Sequence, residues 1–535
     1  MNKSSKDENV LDNKVHAKGQ TEIKGYFKIQ KGEFMKFFIL SGMFSLITLV
    51  YITCGDLKDT FVISKQLPVS IQVLKLYYIP LISIILSFLL QYFVMKFGNA
   101  KVLGACLAIF SGYFIIAALL YGHWEAIEPS KQSIEDLAAD GKLAYKRCLY
   151  ILPMIYTVYS YMSTIVYIFT EMWSSIVLSV LFFSYIFECC TEDQNIRLFP
   201  LLNIFPAIIR IIYFILMFFL TGYQDKKSYQ EQVWNGKLLF GFLGFCALGV
   251  LGLLFLNEKT RDKSIEATER KKKNKSTFAQ ALKVMNTSKL ALFICLMNFI
   301  FCVLLNLTEA TYKSGIGNTI NRKMVIKEIY QMRRSSILQG TIGIVSLILL
   351  LTPLARWVYT KNWFSIAIIT PTTCGIAAIC VFSFVTINTG ISKTTFKPIS
   401  QLIRFIFRVS DETTIYNLLE VEEWLGILGI ALFKCSRYTL MDISKEALGV
   451  KISPTYRYLF KSVYDGIVFR IGKAFGSLIT QMLNFCGIID VREASPLFFI
   501  LTIIFVALWI YSIFYLNKNY EEAKSNNRYM NIDKF

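Results

Sequence analysis

The chain has 535 residues, 54% of them hydrophobic and 18% charged, with a formal net charge of +20; this balance excludes an ordinary water-soluble domain and points to helices that cross a membrane many times. In a soluble protein the charge would suggest nucleic acid, but here the basic residues fall mainly in loops between apolar runs, where they set membrane orientation, so no nucleic-acid partner is expected. Two histidines, twelve scattered cysteines without a C-x-x-C pair, and the lack of a nucleophile motif or Walker-type loop leave nothing for a zinc site, a cofactor or a membrane-embedded enzyme.

Residues 1–33 are polar and lysine-rich, yet they carry Asp7, Glu8, Asp12, Glu22 and Glu33 and have no apolar core of the signal-peptide kind. They read as a cytoplasmic tail, with the first span serving as its own signal anchor. Apolar runs then predict twelve spans, at about 34–53, 73–95, 102–121, 153–188, 197–221 and 238–256, and at about 288–308, 336–356, 364–388, 424–441, 463–485 and 496–516. The stretch 148–190 is too long for one straight span of about 20 residues, so it is either a long kinked helix or an interfacial helix followed by a span. Segment 397–408 has amphipathic helical spacing and reads as a helix on the membrane surface.

The predicted class is therefore an all-α polytopic membrane protein. Two six-helix bundles, 34–256 and 288–517, are joined by a basic linker, 257–287, and followed by a tail, 518–535. That linker holds nine Lys/Arg against four Asp/Glu, with Arg270 to Lys273 at its centre; loop 122–147 holds five acids against four bases. The positive-inside rule then puts both termini and the linker in the cytoplasm. Six spans, a long middle loop and six more spans resemble the major facilitator architecture, a likeness of fold and not of substrate.

Charges at membrane depth cost about 2.5–3.5 kcal/mol each at a helix centre and usually mark a transport path or a snorkelled helix end. Four places stand out: Asp56, Lys58 and Asp59 after span one; Glu171 within the long fourth run; Glu309 and Lys313 after span seven; and Lys434, Arg437, Asp442, Lys445 and Glu446 at the end of span ten. Asp442 and Lys445 are three residues apart and share a helix face. Arg470 and Lys473, inside span eleven, need a carboxylate, a cavity or an anion. Arg197 and Arg210 add to the set. Spans one, four, seven and ten are those that line the central cavity in the facilitator plan. Lysines suit phosphates as flexible point charges, and acidic neighbours keep them oriented when the cavity is empty.

Four stretches carry a family resemblance. They are Leu57-Lys58-Asp59-Thr60-Phe61-Val62; Glu171-Met172-Trp173 with Val177 to Phe183; Asn306-Leu307-Thr308-Glu309-Ala310-Thr311-Tyr312-Lys313; and Arg437 to Glu446, followed by Lys461, Asp465, Gly472-Lys473 and Gly476-Ser477-Leu478-Ile479. In this order they resemble the ATP/ADP translocase (Tlc) family of plastids and obligate intracellular parasites, and the composition looks microsporidian. Ile443 replaces the family's proline and Tyr312 its tryptophan. The resemblance implies a nucleotide antiporter that exchanges ADP for ATP, or related purine nucleotides, and imports host ATP into an intracellular parasite. It implies transport roles for Lys58, Glu171, Glu309 and Lys445; Asp59, Asp442, Arg470 and Lys473 complete the expected substrate site. The expected location is the parasite plasma membrane, with the mitosome membrane as alternative, and the expected partners are ATP, ADP and the bilayer. The competing reading is a proton-coupled or facilitative transporter of another organic anion.

Overall fold

The computed structural model describes residues 29, 33–128, 152–190, 194, 198, 201–224, 229–260, 288–323, 327–351, 363–392, 412–442, 444–445, 448, 468–488, 490–526 and 530, and among the described residues there is no strand. The surface helix expected at 397–408, most of the basic linker, and Arg197, Glu446, Lys461 and Asp465 lie outside the described residues.

Helix α1 (Phe34–Lys65) is 32 residues long. The apolar run ends near residue 53, but the helix does not. Thr53 and Thr60 return their hydroxyls to carbonyls four residues back, at 2.9 and 2.8 Å. Nothing breaks the backbone until Pro68, so Asp56, Lys58 and Asp59 sit inside the helix rather than after it. Next come α2 (Ser70–Val73), a π-turn (Leu74–Tyr78) and α3 (Ile79–Phe97). The wide turn directly precedes Pro80, whose ring would crowd a regular turn before it. Gly98, at φ 87°, lets the chain reverse into α4 (Asn99–Leu120).

Residues 152–189 are helical with an interruption at Ser160. They comprise α5 (Leu152–Tyr159), α6 (Tyr161–Met172), a π-segment (Trp173–Phe182) and α7 (Phe183–Cys189). The break falls at Ser160, and Gln66 fills it. The Gln66 amide donates to the Ser160 carbonyl at 3.2 Å, Ser163 Oγ at 2.7 Å and Thr164 Oγ1 at 3.0 Å. Two long helices complete the first group, α8 (Ile204–Gln224) and α9 (Tyr229–Thr260).

The second group is α10 (Lys289–Lys323), α11 (Lys327–Leu351), α12 (Trp363–Ala367), α13 (Ile369–Ser392), α14 (Glu412–Ser436), which runs into a π-turn (Arg437–Met441), α15 (Val468–Phe485) and α16 (Ser495–Ser525). As in α1, α10 continues past its apolar run and carries Glu309 and Lys313 within it. Nine helical stretches among the described residues are long and apolar enough to cross a membrane. Twelve are not reached on that measure, because the apolar helix over Ser70–Leu86 is short, because α14 carries four glutamates and a lysine, and because Arg470 and Lys473, with Gln481 and Asn484, lower the hydropathy of α15.

Two seams join the groups. Helix α8 lies along α11, and α15 lies against both α10 and the π-turn before α3. Glycines permit this closeness. A Cβ on Gly343 would meet the Ala207 carbonyl at 2.9 Å, and one on Gly472 would meet the Phe299 carbonyl at 2.9 Å. Small residues at helix contacts are the usual way for membrane helices to approach, since lipid offers no hydrophobic drive. The outer faces carry large apolar side chains, such as Phe219 and Phe245, 71% and 74% exposed, which suit lipid.

Candidate functional site

Lys58 and Asp59 leave α1 on the inner side of the packed helices, and Glu171 leaves α6 opposite them. The Lys58 ammonium contacts Glu171 Oε2, and Lys473 of α15 approaches the other oxygen of Glu171 at 3.9 Å. Glu309 of α10 is shared in the same way. Its Oε1 takes Lys434 of α14 at 3.1 Å, and its Oε2 takes Lys75 of the π-turn at 3.4 Å. Lys75 also donates to Asn306 Oδ1 at 2.9 Å. Asp59 Oδ2 pairs with Lys313 at 2.7 Å, while its Oδ1 is buried without a hydrogen-bond partner. Each shared glutamate thus binds one lysine from its own group of helices and one from the other group.

All eight side chains are between 9% and 32% exposed. In these pairs, among the described residues, five ammonium groups meet three carboxylates, two more positive charges than negative ones. Buried pairs are weak contributors to stability, because desolvation offsets most of the attraction, and an unmatched buried charge is worse. Beside these pairs, the Asn306 amide donates to Ser477 Oγ at 2.9 Å, to the Lys473 carbonyl at 2.9 Å and to Gln72 Oε1 at 3.3 Å. Ser477 also donates to Gln72 at 2.8 Å, so α2, α10 and α15 meet at one polar junction. Gly476 makes room, since a Cβ there would sit 2.9 Å from the Asn306 amide nitrogen.

A sequence profile described as TLC ATP/ADP transporter matches residues 16–520. The chain belongs to that family. It is 30% identical over 524 residues to ADP,ATP carrier protein 1 of Encephalitozoon cuniculi (strain GB-M1), covering 97% of this chain and 92% of that one. It is 27% identical to ADP,ATP carrier protein 1 of Paranosema grylli, with 96% and 93% covered. It is 24% identical to ADP,ATP carrier protein 1 of Rickettsia prowazekii (strain Madrid E), with 93% and 96% covered. The family and the apolar helices make this a multi-pass membrane transporter.

For this TLC family member, five of the eight residues expected at the site, Lys58, Asp59, Glu171, Glu309 and Lys473, meet in one cage. Lys445 and Asp442 pair with each other at 2.8 Å, three residues apart. Arg470 reaches across to the Ser83 carbonyl of α3 at 3.2 Å. Lys75 is the cage residue that sequence reasoning missed; its signal was a lysine standing alone in the run from Val69 to Val94.

A second polar cluster also escaped notice. Arg492 grips Glu422 at 2.7 and 2.6 Å, and Arg334 meets Glu423 at 2.8 Å, with Tyr330 donating to the same carboxylate at 2.7 Å. Each buried glutamate there has its own arginine, the fork geometry that suits permanent pairing. This cluster reads as scaffold, whereas lysines sharing carboxylates read as exchangeable.

Proposed function

We propose that this chain is an antiporter that exchanges ADP for ATP, importing host ATP into an intracellular parasite. The single observation that carries the reading is the buried cage, in which five lysines share three carboxylates. A nucleotide brings several negative phosphoryl oxygens. These match the surplus charge and displace glutamates from the lysines they hold, because charge-assisted contacts to phosphate are at least as strong as those to carboxylate. Glu171 and Glu309 then act as switchable counter-charges, and Lys58, Lys75, Lys434 and Lys473 act as phosphate ligands. Lys445 serves as a further phosphate ligand from the second half, with Asp442 and Arg470 completing the substrate site.

The mechanism follows from the same electrostatics. Helices 34–256 and 288–517 form two bundles that rock about the cage. In the empty cage, pairs such as Asp59–Lys313 and Lys75–Glu309 tie the bundles together. Bound phosphate satisfies the lysines and lets those ties part. A return with an empty site would carry uncompensated buried cations, each costing several kcal/mol in order of magnitude. Exchange is therefore favoured over net movement. Both termini and the basic linker lie in the cytoplasm by the positive-inside rule, and the membrane is the parasite's own surface, with the mitosome as the alternative.

The test is uptake of labelled ATP into intact cells expressing the chain, followed by a chase with ADP or buffer. Release of label that depends on external nucleotide is the expected result. Uptake driven by a pH gradient with no need for counter-nucleotide would sink the exchange reading in favour of a proton-coupled anion transporter.

A further inference from the structure

Hydroxyls along α6 are well satisfied. Ser163, Thr164 and Thr170 each donate to a backbone carbonyl, at 2.8, 2.7 and 2.7 Å. A second deeply buried phenol, Tyr213, donates to Asp56 at 2.7 Å. Among the described residues the Tyr113 and Tyr312 hydroxyls, on other helices, are also buried without a partner; on α6 the exception is Tyr167. It is fully buried, and its hydroxyl has no hydrogen-bond partner. Native proteins rarely leave such a group unmet, and an unmet one calls for an explanation.

Its position supplies one. Tyr167 lies four residues before Glu171, on the same face of α6. The Lys58 ammonium sits 4.9 Å from the centre of its ring. The same ammonium contacts Glu171, so the ring borders the cage at the Lys58–Glu171 pair. A phenylalanine would give Lys58 the same ring face. What tyrosine adds is a buried O–H without an acceptor, beside the lysine that Glu171 holds.

We infer that the Tyr167 hydroxyl donates a hydrogen bond to a phosphoryl oxygen of the bound nucleotide, beside the Lys58 ammonium. The inference rests on the nucleotide-exchange reading above. Phosphoryl oxygens are acceptors without protons at neutral pH, which is what a lone O–H requires. When phosphate takes Lys58 from Glu171, an acceptor arrives next to the phenol, and the unmet donor is satisfied only in the loaded state. Tyr167 thus favours the loaded cage over the empty one, the property an exchanger needs.

The experiment is Tyr167→Phe in the full chain, purified in lipid nanodiscs and also reconstituted in vesicles. Three quantities are read: the melting temperature without nucleotide, its shift with ADP, and KM for ADP and ATP in exchange. Loss of a hydrogen bond to a charged oxygen predicts a KM raised about ten- to a hundredfold for both nucleotides and a smaller ADP-induced shift. The nucleotide-free melting temperature should stay level or rise, since the variant loses an unmet polar group. A variant with wild-type KM, or one with a lowered nucleotide-free melting temperature and an unchanged ADP shift, overturns the inference while leaving exchange intact. Wild-type protein that is neither stabilised by ADP nor able to exchange it overturns the exchange reading and this inference together.

Discussion

A carboxylate that serves two lysines cannot be removed without leaving two charges exposed to each other. Glu309→Gln leaves Lys75 and Lys434 without their shared partner, and breaking a buried pair costs about 3–5 kcal/mol. The nucleotide-free protein should melt markedly lower, and added ADP should recover more stability than it does in wild type, because ligand binding to the folded state adds to stability by mass action. An unchanged melting temperature without nucleotide would remove Glu309 from the counter-charge role. Lys75→Met keeps the length of the side chain and deletes the ammonium, so KM for ADP should rise about tenfold or more. Lys96→Met, on the exposed last turn of α3, is the matched control and should transport as wild type. The cage was half legible at this scale. Lys58, Glu171 and Glu309 stood out as charges against apolar sequence, yet the sharing of one carboxylate by lysines more than a hundred positions apart, as Glu309 joins Lys434 and Lys75, has no trace in local spacing.

At the level of elements, the helix seams set which substitutions the fold tolerates. Gly343→Ala would place a methyl 2.8 Å from Arg210 Cβ and 2.9 Å from a backbone oxygen of α8, and overpacking of this kind costs about 1–3 kcal/mol. Gly112→Ala meets nothing within 4 Å, so the gain in helix propensity, about 1 kcal/mol, should go unopposed. Melting curves of the two variants should move in opposite directions. The class of fold and the place of nearly every helix were readable, because apolar runs of bilayer length are a strong signal. Helix ends were not. Apolar counting closed α1 at residue 53, whereas pairing across helices lets it run on to Lys65 with its charges inside. The break at Ser160 was likewise hidden, because what stabilises it is Gln66, on a distant part of the chain.

Across the whole molecule, the two groups of helices touch beyond the cage as well as within it. A Cβ on Gly317 of α10 would lie 3.0 Å from Pro68 Cγ, just past the end of α1. A Pro68→Cys/Gly317→Cys pair is within disulfide reach. Oxidation should arrest exchange and reduction should restore it; a cross-linked protein that still exchanges would mean that this end does not open. The shared lysines also bear on a partner that nucleotides meet everywhere in a cell. Magnesium binds by bridging the β- and γ-phosphoryl oxygens, and those are the oxygens that the five ammonium groups would hold. A chelated nucleotide reaches the cage with its charge half cancelled and its best contacts occupied. The species carried should then be the free nucleotide, so that at constant total ATP the initial rate falls as magnesium rises and recovers on adding a chelator.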